Sequence, residues 1–147
     1  MVAAAVVAAD QATKTWALHH LAAGPRHVVG PLNLVLTYNS GAAFSLGKGV
    51  TPVVVAAVVV LVVWLVAFTR RASRTATVPV SVALGLVLGG ALGNLADRAF
   101  RSIPGHPAAV VDFIQAASWW PVFNVADACV VVGVVVLVAA YLLHPRA

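Results

Sequence analysis

The 147-residue chain carries four acidic side chains, Asp10, Asp97, Asp112 and Asp127, and no glutamate. Their settings differ. Asp10 has Lys14 four positions on, a spacing that puts both on one helical face. Asp97 is followed by Arg98 and Arg101. Asp112 and Asp127 have no Lys or Arg within ten positions on either side, so they are the pair expected to face each other. Two carboxylates about 3 Å apart cannot both ionise readily; they hold one proton between them and titrate as a unit. Such a pair can hydrolyse an amide, one member taking a proton from the attacking water while the other donates to the carbonyl oxygen. Two asparagines fit the pattern. "NLAD" at 94–97 and "NVAD" at 124–127 put Asn94 and Asn124 three positions before a carboxylate, on the same helix face, where each amide could orient it.

Each residue also has a plainer reading. Asp10 with Lys14 makes a structural ion pair, Asp97 with Arg98 a salt bridge or an anchor for lipid phosphate, and Asn94 and Asn124 interhelical hydrogen bonds. Asp112 alone would be a solvated loop residue. The convergence of Asp112 with Asp127 is what lifts catalysis above these. Other chemistries are poorly supplied. Without glutamate there is no H-E-x-x-H; G-x-S-x-G is absent; Cys129 is the sole cysteine, so no intramolecular disulfide forms. His19, His20, His27, His106 and His144 lie in loops or at chain ends without ligand spacing. No metal and no cofactor are expected.

The elements that position these residues are apolar. Hydrophobic residues make up 62% of the chain and charged residues 9%, with a mean hydropathy of +1.00, against roughly 25% charged in a soluble domain. Four runs, at about 1–18, 51–69, 78–96 and 123–143, approach the ~20 residues that a helix needs to cross ~30 Å of hydrocarbon. Valine-rich segments become helical in lipid because they must satisfy their own backbone hydrogen bonds. The first run has the small residues of a secretory signal but no basic flank, and it continues past "DQATK"; it reads as a first span that is short or lacks its start. The expected fold is membrane all-α: a four-transmembrane-helix bundle in a single domain over 1–147. A small extracytoplasmic β-sheet is expected between helices 1 and 2, and a short loop or strand between helices 3 and 4.

Arg70, Arg71 and Arg74 crowd one short loop, whereas the segments 19–50 and 97–122 hold two Lys or Arg each. The dense cluster should be cytoplasmic, which puts both termini in the cytoplasm and the long loops outside. Asp97, Asp112 and Asp127 then gather at the outer face, with Asp10 deeper. Leu32, Leu34, Leu36 and Tyr38 alternate as in a strand, "NSG" at 39–41 reads as a turn, and "AVVDFI" at 109–114 as a second strand. Trp119 and Trp120 fit an interfacial aromatic belt. The N-x-A-D repeat is too short to argue duplication and reads as convergence on a shared local role. The net charge of +5 is spread along the chain with no basic helix or aromatic platform, so no nucleic-acid partner is expected.

Five stretches, "DQATK" at 10–14, "YNSGAAFS" at 38–45, "GGALGNLADR" at 89–98, "VVDFI" at 110–114 and "FNVAD" at 123–127, resemble in order and spacing the bacterial lipoprotein signal peptidases, the type II signal peptidases. The resemblance implies an intramembrane aspartic endopeptidase of the bacterial cytoplasmic membrane, with its site near the extracytoplasmic face. Its substrates would be prolipoproteins, cut before a cysteine that carries a diacylglyceryl group. By the same comparison Asp112 and Asp127 are catalytic, and Asn39, Asn94, Arg98 and Asn124 bind substrate or shape the site. Asp97 is supporting, and Asp10 and Lys14 are structural. Gly41 and Ala43 are small enough to let a substrate backbone approach. The partners expected are such substrates and membrane lipids, with the chain acting as a monomer. The alternative is a small proton-coupled transporter, since intramembrane carboxylates also relay protons; against it, three of the acids cluster at one face.

Overall fold

The structure, a computed structural model, describes residues 1–40, 60, 64, 67 and 77–143. In chain order these form α1 (Val2–His20), β1 (Arg26–Val29), β2 (Leu32–Asn39), α2 (Val78–Phe100), β3 (Val110–Gln115) and α3 (Val125–Leu143). Three of the four expected spans are therefore present as helices. The span expected at 51–69 lies outside the described residues apart from Val60, Trp64 and Ala67, which are helical. Gly41, Ala43 and the basic cluster Arg70, Arg71 and Arg74 also lie outside them.

The alanine-rich α1 suits a helix, and it buries one stripe, Val6, Asp10, Lys14 and Ala17, at intervals of three and four. Half of that stripe is charged. The partner surface is α2, entered through Pro79 in its first turn. Glycines at 85, 89 and 93 repeat every fourth position and let α1 approach closely: a Cβ at Gly89 would fall 2.7 Å from the Val6 Cβ, and one at Gly93 2.6 Å from Asp10 Oδ2. On its other side α2 meets α3, where a Cβ at Gly133 would fall 2.7 Å from the Ala83 carbonyl oxygen. Thus α2 packs between the two other helices. It continues through Phe100, a turn beyond the apolar run, so Asp97 and Arg98 lie within the helix instead of just past its end.

The sheet is antiparallel in the order β1-β2-β3. β2 falls where alternation places it and β3 within a residue of the strand read at 109–114; β1, four exposed residues, has no such signal. Thr37 pairs with Asp112 and Asn39 with Val110, with an irregularity between Leu34 and Thr37. Ala17 and Leu21 of α1 pack with Phe113 of β3, and Leu34, Leu36, Ile114 and Val125 close around them. This core ties the sheet to the end of α1 and the start of α3. Among the described residues, Val78–Phe100 is long and apolar enough to cross a membrane. α3 turns Val131, Val132, Val134, Val135 and Val138 outward, a face suited to lipid contact.

Candidate active site

The start of α3 builds the first half of the site. The Asp127 N–H donates to Asn124 Oδ1 at 2.9 Å, and the Asn124 N–H donates to Asp127 Oδ2 at 3.1 Å. This is a capping box with Asn124 as the N-cap and Asp127 in the first turn. The i, i+3 pair read from "NVAD" is therefore real, but Asn124 stands at the helix threshold and not on its face. Asp127 Oδ1 also accepts from Asn94 Nδ2 of α2 at 2.8 Å.

The second half is β3, which holds Asp112 at 3% exposure. Asp112 Oδ1 accepts from Asn124 Nδ2 at 2.6 Å, and Oδ2 from Asn39 Nδ2 of β2 at 3.2 Å. Asn124 Nδ2 lies also 3.1 Å from Asn94 Oδ1 and 3.3 Å from the Val111 carbonyl oxygen. One amide thus joins the two carboxylates, touching Asp112 with its nitrogen and the Asp127 backbone with its oxygen. Asp112, Asp127, Asn39, Asn94 and Asn124 form one hydrogen-bonded cluster drawn from β2, α2, β3 and the α3 cap. These donors to the two carboxylates are all amides, and among the described residues neither carboxylate makes a salt bridge. Burial pushes the Asp112 carboxyl up to about 6; the Asp127 charge adds to this, while the Asn39 and Asn124 hydrogen bonds and the Lys14 charge oppose it.

Asp10 and Asp97 are arranged otherwise. Lys14 Nζ lies 2.8 Å from Asp10 Oδ2 and 3.0 Å from Asp97 Oδ2, all three side chains being fully buried. Asp97 Oδ1 takes Arg101 Nε at 2.8 Å. The remaining bonds brace the surroundings: Asp97 Oδ2 accepts the Val111 N–H at 3.0 Å, and Asp10 Oδ1 accepts the Ala126 N–H, one of the unpaired donors of the α3 first turn, at 3.0 Å. So Asp97 pins β3 beside Asp112, and Asp10 pins α3 beside Asp127.

The expected pairing of Asp97 with Arg98 does not form. Neighbours on a helix diverge by about 100°, whereas i, i+4 residues meet, and Arg101 takes the partner position. Arg98 instead reaches the Asn94 carbonyl oxygen through Nη1 at 3.4 Å. Among the described residues its buried Nε has no hydrogen-bond partner.

Of two further network members, Gln11 was missed from sequence, and Arg101 was noted beside Asp97 but not counted as a site residue. Gln11 Nε2 donates to Asp97 Oδ1 at 3.0 Å and to the Gly93 carbonyl oxygen at 3.1 Å, and its Oε1 accepts from Arg101 Nη2 at 2.8 Å. The four-residue step from Asp97 was a signal for Arg101; Gln11 had none beyond its place in "DQATK". Among the described residues no group of three or more His, Cys, Asp or Glu is disposed to hold a metal ion.

Residues 2–143 match the family model of signal peptidase (SPase) II. The lipoprotein signal peptidase of Mycolicibacterium smegmatis is 44% identical over 143 residues, a match covering 94% of this chain and 58% of that one. That of Mycobacterium avium is 43% identical, covering 93% and 74%, and that of Rhodococcus jostii 42% identical, covering 97% and 71%. The chain thus spans 58% of the length of the M. smegmatis relative. Two solved structures, each described as a bacterial membrane enzyme determined by the in meso method, are also similar. They give TM-scores of 0.81 and 0.78 at 29% and 26% identity, covering 96% and 97% of this chain and 90% and 86% of theirs.

Proposed function

The chain belongs to the signal peptidase II family, and from that premise we propose that it is an intramembrane aspartic endopeptidase. It removes signal peptides from prolipoproteins, cleaving on the N-terminal side of the diacylglyceryl-modified cysteine. The observation that carries this reading is the amide-held pair, Asp112 buried in β3 and Asp127 half-buried at the start of α3, with no cation bonded to either among the described residues.

The two carboxyls hold one proton, and their settings divide the labour. Asp112, lifted to about 6 by burial in the strand, keeps it. Asp127, in the first turn of α3, accepts the Asn124 N–H and the Asn94 amide, which aim its two oxygens. Asp127 therefore draws a proton from the attacking water as Asp112 protonates the scissile carbonyl oxygen. The resulting gem-diol collapses when Asp112 takes back a hydroxyl proton and Asp127 protonates the departing nitrogen. The C–N bond breaks, and the pair is left with its single proton. Asn39 and Asn124 aim Asp112, and Arg98 Nε supplies a donor for a substrate carbonyl. Gly41 and Ala43 are residue types small enough to admit an extended substrate backbone.

The substrate's acyl chains hold the scissile bond at a fixed depth beside the pair, which raises its effective concentration. This setting calls for a single four-span domain over 1–147, monomeric in the bacterial cytoplasmic membrane. Both termini are cytoplasmic and the sheet lies at the extracytoplasmic face, where the exposed Trp119 and Trp120 meet the headgroups. A transporter would need carboxylates along the helices; here Asp97, Asp112 and Asp127 lie toward the end that carries the sheet, and Asp10 lies midway along α1. The test is a gel-shift assay in micelles on a prolipoprotein with and without its diacylglyceryl group. Cleavage of the modified form alone is expected. Proton flux into sealed vesicles with no proteolysis would overturn the reading.

A further inference from the structure

We propose that Lys14 is a positioning residue for the reaction, acting on Asp127 through the side-chain amide of Asn94. The inference rests on the proposed function, because it requires Asp127 to be a reacting group. A buried ammonium has three hydrogens to place, and Lys14 places them on Asp10 Oδ2 at 2.8 Å, Asp97 Oδ2 at 3.0 Å and Asn94 Oδ1 at 2.8 Å. The first two bonds neutralise charge. The third does something else: it decides which way an amide faces.

An asparagine amide has an accepting edge and a donating edge of nearly the same shape, and only its partners choose between the two orientations. Lys14 can only donate, so it demands the oxygen of Asn94. Asn124 Nδ2, 3.1 Å away, demands the same atom. The Asn94 nitrogen is thereby turned to Asp127 Oδ1 at 2.8 Å. With the amide reversed, an oxygen would face the Asp127 carboxylate and the nitrogen would face an ammonium, so both contacts would be repulsive. Asn94 Oδ1 already accepts two hydrogen bonds and has no lone pair left for a substrate N–H. Asn94 thus belongs with the groups that aim the dyad, and Lys14 is what sets it. The fully buried Lys14 is itself fixed in depth by Asp10, which also holds the Ala126 N–H at the start of α3. One lysine on α1 therefore acts on the first turn of α3 through a side chain on α2.

The test is a double-mutant cycle on the full chain in micelles, reading kcat and KM with diacylglyceryl-modified prolipoprotein. Asp127→Asn is assayed first, and retained activity there overturns the function reading itself and the inference with it. Given an inactive Asp127→Asn, Lys14→Met and Asn94→Ala are each expected to lower kcat on the order of tenfold to a hundredfold, the scale of a misplaced reacting group. KM should stay within about twofold, and the double variant should be no slower than the slower single one. If Lys14→Met does not fold, the cycle is run on Lys14→Met with Asp10→Asn. That background keeps the Asp97–Arg101 pair, an oxygen for the Ala126 N–H and a neutral cluster. Losses that multiply in the double variant, or a Lys14→Met enzyme with wild-type kcat, overturn the inference and leave the function reading standing.

Discussion

Asp10 with Asp97, and Asp112 with Asp127, are two carboxylate pairs that share a border at Asn94, and they differ in the charge of what holds them. Asp10 and Asp97 bind Lys14 and Arg101 at 2.8–3.0 Å. Isolated ionised carboxylates at such depth would cost several kcal/mol each, and the cations offset that cost. Held in ion pairs that also brace α3 and β3, these acids build structure. Asp112 and Asp127 are held by Asn39, Asn94, Asn124 and a backbone N–H. Amides orient a carboxylate without fixing its charge, which leaves a proton free to move. The general lesson is that a partner's charge, more than burial, separates a structural acid from a reacting one.

The two N-x-A-D stretches make the same point. In 124–127 the asparagine caps α3 and folds back on its own aspartate. In 94–97 the two residues diverge, Asn94 toward Asp127 and Asp97 toward Lys14, Arg101 and the Val111 N–H. Identical spacing gives different chemistry because one stretch starts a helix and the other lies inside one.

The comparison is broken most readily from the structural side. Asp97→Ala leaves Lys14 and Arg101 without a shared partner and should cost about 3–5 kcal/mol, the scale for opening a buried pair. Chemical unfolding in micelles measures it, and a loss under about 1 kcal/mol would mean the pair holds nothing together.

The pH dependence separates the two pairs next. Asp112 goes from an ordinary 3.8 to about 6 on folding, so the folded state holds that proton more tightly than the unfolded chain. Its contribution to stability is complete below pH 3.8 and is lost as pH rises through about 6, up to about 3 kcal/mol. Unfolding free energies between pH 4 and 7 should show that decline in the wild type and a flatter profile in Asp112→Asn. An unchanged slope in the variant would assign the proton elsewhere.

Packing supplies a smaller effect. Gly93→Ala puts a methyl 2.6 Å from Asp10 Oδ2, and it should destabilise by about 1–3 kcal/mol. A thermal-shift measurement that finds it neutral would show that α1 and α2 can separate without disturbing the ion pairs. The finest test is spectroscopic. Removing the Asp127 charge removes the second cause of the Asp112 shift, so the Asp112 carboxyl, followed by infrared titration in Asp127→Asn, should titrate below its wild-type position.

Much of this was legible in the sequence, for reasons particular to each element. Leu32, Leu34, Leu36 and Tyr38 announced β2 by alternation, and the absence of Lys and Arg around Asp112 and Asp127 singled out that pair. Hydropathy placed α2 and α3 but stopped α2 at Ala96, because "DRAF" reads as a polar exit; the Asp97 carboxylate is absorbed by partners on α1 and β3. Adjacency misassigned Arg98 as the partner of Asp97, where helical geometry selects Arg101. Gln11 and Lys14 reach residues 80 to 90 positions away, and no local pattern reports contacts of that range.

The most direct test of the account replaces each aspartate in turn by asparagine and measures turnover of lipid-modified prolipoprotein beside unfolding free energy. Asp112→Asn and Asp127→Asn are expected to lose turnover by about 10²- to 10⁴-fold, the range for an acid–base group, with the fold retained. Asp10→Asn and Asp97→Asn are expected to lose stability first. Turnover surviving in Asp112→Asn or Asp127→Asn, with Asp10→Asn or Asp97→Asn folded but inert, would contradict it by placing the chemistry in the cation-paired site.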